Sequence, residues 1–132
     1  MNSPTSSSDK MDSMRVLWTV LEYRINRGAT WGEQEARSML FKPLDIGDTF
    51  ITFDRKTCSN VVFDKRVVDT DEYLLKSYDT DREFLGITDN ALELFKTNCN
   101  LPGFAEYMRL QDSRLIIWVN GVFFYLVPAV NY

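Results

Sequence analysis

Histidine is absent from this 132-residue chain, and cysteine occurs only as Cys58 and Cys99. The first absence removes the commonest general base near neutral pH and the commonest transition-metal ligand. It excludes Ser-His-Asp and Cys-His catalysis within the chain, along with zinc sites that need imidazole. Two cysteines cannot build a four-thiolate zinc centre, and they read as reduced thiols of a cytosolic protein rather than as a bridge. Apolar runs are short. The longest, at 122–127, falls far below the ~20 residues needed to cross a bilayer. Glycine-rich phosphate loops are missing too: neither G-x-x-x-x-G-K-[ST] nor G-x-G-x-x-G occurs. The amino terminus lacks a basic-then-apolar leader. These gaps predict a cytoplasmic protein with no membrane contact, no cofactor, no metal and no catalytic residue that can be named.

Charge is present but uneven. Net charge is −4, and residues 44–90 hold six basic against eleven acidic side chains. Clustered Lys and Arg of the kind that track phosphates are missing, so direct nucleic-acid binding is not expected.

Residues 1–10, MNSPTSSSDK, have almost no apolar content and read as a flexible tail, leaving 11–132 as one domain. Met11, Met14, Leu17, Trp18, Leu21 and Ile25 recur at helical spacing and predict a first helix ending near Arg27, before Gly28. Val16, Val20 and Tyr23 form a second apolar patch beside it, to be covered by another element or by another subunit. Thr30 followed by Glu33 matches a capping box and predicts a second helix to about residue 40, ahead of Pro43. β-Branched and aromatic residues predict strands at 49–53 and 61–68, with DRKTCSN between them as a loop. TDNALELFKTN predicts a short third helix. Asn120-Gly121 between two β-rich runs predicts a type I′ hairpin of 115–119 with 122–127, and 107–110 adds a third strand. The expected fold is α+β: two amino-terminal helices and a short third helix packed on an antiparallel or mixed sheet that ends in a hairpin. In element order alone this resembles the cone-shaped fold of the nuclear transport factor superfamily, whose strands are longer.

Asp-Thr-Asp appears at 69–71 and again at 79–81. A cation site could draw on Asp69, Asp71, Glu72, Asp79 and Asp81, but Leu74 and Thr80 stand where an EF-hand needs Gly and Glu. The acids could instead imitate a nucleic acid to a basic partner. The plainest reading is helix initiation, with Asp69 paired to Glu72 and Thr80 to Glu83 as caps. Arg55 and Lys56 near Cys58 could activate a thiol, but an unreactive loop cysteine fits better without a base.

Both faces of the carboxyl-terminal hairpin are apolar, where a sheet wetted on one side would alternate. The hairpin is therefore either central in the fold or a contact surface. The expected function is a non-catalytic protein–protein interaction protein, contacting a protein partner or itself, such as a viral or phage accessory factor acting on a host protein. Its expected contact residues are Asp69, Asp71, Glu72, Asp79, Asp81, Val16, Val20, Tyr23, Trp118, Phe123 and Tyr125. Two alternatives stay open: an acidic inhibitor of a nucleic-acid-binding protein, and a small-ligand or enzymatic domain with a pocket between sheet and helices.

Overall fold

A computed structural model of the chain describes residues 17–129. The expected tail at 1–10, the start of the first expected helix and Val16 lie outside the described residues. The fold is mostly β rather than α+β. Nine strands form one antiparallel sheet: β1 (Leu17–Ile25), β2 (Pro43–Ile46), β3 (Ile51–Phe53), β4 (Lys56–Cys58), β5 (Phe63–Asp69), β6 (Ala91–Thr97), β7 (Glu106–Arg109), β8 (Leu115–Val119) and β9 (Val122–Ala129). Three short helices accompany them among the described residues: α1 (Glu33–Arg37), α2 (Thr70–Tyr78) and α3 (Arg82–Leu85).

Strand order is β4-β3-β2-β1-β9-β8-β7-β6-β5, so the two edges, β4 and β5, are consecutive in sequence. Laid flat, nine strands at 4.8 Å spacing would hold the edges roughly 38 Å apart. The link at 59–62 spans at most about 17 Å. The sheet must therefore curl, and it forms a half-barrel in which, among the described strands, the pairing of β4 with β5 is the missing seam. One end of that seam is tied. Cys58 of β4 and Cys99 just beyond β6 form a disulfide with Cα atoms 5.6 Å apart. Val62 N–H donates to Asn98 Oδ1 at 2.9 Å, and Asn98 Nδ2 donates to the Asn60 carbonyl at 3.2 Å. The bridge corrects the expectation of reduced thiols; only the curl brings two cysteines 41 positions apart into reach.

The first expected helix is strand β1. Trp18, Val20, Tyr23 and Ile25 belong to or pack against the core inside the curl. A β-bulge between Val20 and Glu22 inserts Leu21, which is 51% exposed. That extra residue stretches the inward spacing and breaks the period of two, which is how a strand came to match a helical period. The second expected helix shrinks to the five residues of α1. Its N-cap is Gly32, whose N–H donates to Glu35 Oε1 at 3.0 Å, while Thr30 N–H donates to the Asn120 carbonyl. The third expected helix is β6: Leu92 and Leu94 are buried on one face while Glu93 and Phe95 lie on the other, and pairing with β5 and β7 on both sides overrides helix propensity. The DRKTCSN loop contains a tight turn, with Asp54 and Arg55 both at positive φ, followed by β4. Without paired amino-terminal helices, the likeness in order to the nuclear transport factor fold falls away.

The strands at 51–53 and 63–69 stand close to where the composition put them, and so does the third strand, β7. The final hairpin also stands, with Asn120 at φ 52° and Gly121 at φ 91° in its turn. It occupies the middle of the sheet. Leu115, Ile117, Val119, Val122, Phe124 and Leu126 face the interior of the curl beside Phe104 and Ile51. Ile116, Phe123 and Tyr125 face outward under a second core closed by Tyr73 and Leu74 of α2 and Leu85 of α3. Both faces of the hairpin are thus sealed by the chain itself, apart from Trp118.

Candidate functional site

The acidic stretch resolves into caps and ion pairs. Asp69 accepts from Glu72 N–H at 3.0 Å and opens α2; Asp81 accepts from Phe84 N–H at 2.8 Å and opens α3. The second cap is Asp81 rather than Thr80. Arg82 donates to both carboxylate oxygens of Asp71 at 2.9 Å, and this forked bond holds the Asp71 carboxyl below its ordinary value. Glu72 pairs with Lys76 at 3.3 Å, and Asp79 ends α2 in a left-handed conformation. Among the described residues no group of three or more His, Cys, Asp or Glu is placed to hold a metal ion.

The apolar candidates part ways. Val20, Phe123 and Tyr125 are fully buried, so their side chains are not on the protein's surface. The Tyr125 hydroxyl donates to the Leu85 carbonyl at 2.7 Å, and its ring lies beneath the guanidinium groups of Arg24 and Arg114. Tyr23 is half-buried, and its hydroxyl donates to Glu33. Trp118 alone of the hairpin's large residues reaches solvent, at 39% exposure. The structure therefore does not gather the predicted residues into one patch.

A different surface emerges at the open end of the seam. β5 pairs only with β6 among the described strands, leaving its far side as an edge. Thr70 N–H donates to the Asn90 carbonyl, in phase with the register Asp69↔Ala91. By the alternation of an antiparallel ladder, Asp64, Arg66 and Val68 aim their backbone groups at β6, and Lys65, Val67 and Asp69 aim theirs at the edge. The Lys65 and Val67 side chains line a groove inside the curl with Ala91, Glu93, Phe95 and Arg109, a cavity of about 560 Å³. Glu93 sits between two cations, with Lys65 Nζ at 3.4 Å from one oxygen and Arg109 Nε at 4.0 Å from the other. A second cavity of about 260 Å³ shares Phe95 and Arg109 and adds Trp18, Ile46, Phe63, Tyr107 and Leu115. Phe95 and Tyr107 stack at 5.1 Å and 9°, and burial raises the Tyr107 hydroxyl above the usual phenol range. The groove thus offers an aromatic floor, a cluster of two cations around one carboxylate and a strand edge with no partner among the described strands. Val67, 66% exposed, stands between edge and groove.

Sequence reasoning passed over these residues. The signal was Asp64-Lys65-Arg66 inside a β-rich run, since charge within a strand marks an edge. No family model matches the chain, and no curated protein or solved structure shows significant similarity to it. No helix among the described residues is long and apolar enough to cross a membrane.

Proposed function

We propose that the protein is a non-catalytic protein-binding module that takes an extended segment of a partner into the open seam beside β5. The observation that carries this reading is the coincidence of an unpaired strand edge with the groove. A strand added to β5 would bond to the outward backbone groups of Lys65, Val67 and Asp69. Every second side chain of that strand would then project over Phe95, Glu93 and Arg109. Main-chain bonds of this kind supply affinity, and the pockets beneath alternate side chains supply selectivity. The partner surface expected from the hairpin moves to the seam, because the hairpin's apolar side chains are already buried.

The groups that line the groove favour binding over catalysis. The site's carboxylate, Glu93, is held between Lys65 and Arg109, and the nearest phenol, Tyr107, is made harder to ionise by burial. The expected cytoplasmic location rested in part on reduced thiols. A bridge that ties the seam instead favours an oxidising compartment, where such bonds persist.

The test is selection of short peptides on the intact protein, followed by measurement on Val67→Pro. Proline at 67 deletes an N–H that points to the edge and spares the β5–β6 ladder. Selected binders should carry apolar residues at alternate positions and lose roughly tenfold or more in affinity on Val67→Pro, as the loss of a central ladder bond implies. Binders that ignore the substitution would refute strand addition.

A further inference from the structure

On the outer face of the sheet, at the carboxyl-terminal end of α2, lies a cavity of about 410 Å³ lined by Ser77, Tyr78, Gly103, Ala105, Glu106 and Trp118. Three of its lining residues, Tyr78, Trp118 and Glu106, present negative potential. Tyr78 and Trp118 lie against one another, ring centroids 5.7 Å apart and planes at 41°. Edge-on contacts with Tyr73 at 5.8 Å and Phe123 at 5.1 Å hold the Tyr78 ring in place. Aromatic faces carry negative potential and attract cations. Glu106 adds a full negative charge, with one oxygen accepting from the Tyr73 hydroxyl. Burial and the Glu106 carboxylate push that hydroxyl well above the ordinary phenol range, which keeps it a donor. The end of α2 contributes the negative pole of its dipole. An ammonium group already stands at the edge: Lys96 Nζ is 3.8 Å from the second Glu106 oxygen, in a loose pair whose lysine side chain is half exposed.

We infer that the Trp118–Tyr78–Glu106 cavity is a binding site for an alkylated ammonium group, as carried by a methylated lysine or a choline headgroup. Two aromatic rings and one carboxylate lining one cavity suit a diffuse, weakly hydrated cation better than a compact one. Quaternary ammonium recognition relies on these same forces. The site faces away from the β5 groove and does not depend on the reading proposed for that groove.

Tetramethylammonium and choline, titrated into the full chain, should move the indole N–H resonance of Trp118 saturably, with Kd in the range of about 1–10 mM. The signals of Trp18 and Trp31 should stay fixed. The neutral isostere 3,3-dimethylbutanol should leave all three unmoved. Trp118→Leu and Glu106→Gln should each weaken binding roughly fivefold or more, read for the former from the neighbouring backbone amides. Glu106→Gln keeps an acceptor for Tyr73 and so tests charge rather than folding. Lys96→Met should tighten binding about threefold by removing the resident competitor. Trimethyl-lysine peptide and phosphatidylcholine vesicles then separate the two sources, the one bound more tightly than choline naming the carrier. The inference is overturned if Trp118 does not respond, if the neutral isostere acts as well as the cation, or if neither carrier binds more tightly than choline itself.

Discussion

The β8–β9 hairpin and the β5 strand show how opposite compositions settle in one sheet. The hairpin is apolar on both faces and lies at the centre, closed on the inside by the curl and on the outside by α2 and α3. β5 carries Asp64, Lys65 and Arg66 and lies at the edge, with one neighbour among the described strands. A strand greasy on both faces belongs where it is covered twice. A strand with charge among its β-formers belongs where its far side meets water. The surface available to a partner thus follows from position in the sheet rather than from apolar content.

Core truncation should break this comparison most strongly. Phe124→Ala removes a fully buried ring that contacts Tyr23 and Trp31. It should cost about 3–5 kcal/mol in urea unfolding, whereas Val67→Ala at the edge should stay within about 0.5 kcal/mol. Next is the tie across the seam. Replacing Cys58 and Cys99 together by alanine should lower stability by about 2–4 kcal/mol and hasten amide exchange along β4 and at 59–62.

Alkali should act through the buried phenols. Burial is the leading cause of raised values at Tyr73, Tyr78, Tyr107 and Tyr125, the last pushed up to about 12. Unfolded tyrosine ionises near pH 10, before the native hydroxyls do. As far as these phenols decide it, stability should therefore be level from neutral pH to about pH 10. It should then fall by about 1.4 kcal/mol per pH unit for each such tyrosine as pH climbs toward the native value. Tyr125→Phe should flatten that slope between pH 10 and 12, as measured by urea titrations at stepped pH.

Local chemistry was legible where it alone decides the outcome. Asn120-Gly121 announced its turn, and Asp69 announced the start of α2, because a turn or a cap is settled within a few residues. The sequence misled where a tertiary feature rewrote the period. The bulge at Leu21 made β1 imitate a helix, and Ala91–Thr97 has helix-favouring residues that two flanking strands recruit into the sheet. The disulfide was illegible because it depends on the curl, and the curl depends on the pairing of nine strands. Of the candidate site, only the charges within β5 were visible in advance. The meeting of Lys65, Glu93, Phe95 and Arg109 needs the registers of three strands at once.

Hydrogen exchange resolved at single amides tests most directly whether β5 is an open edge. Asp64, Arg66 and Val68, bonded to β6, should exchange slowly; Lys65 and Val67 should exchange orders of magnitude faster, while the amides of β8 and β9 stay protected throughout. Uniform protection along β5 would mean that its outer side is already paired or covered, and the open seam would not exist.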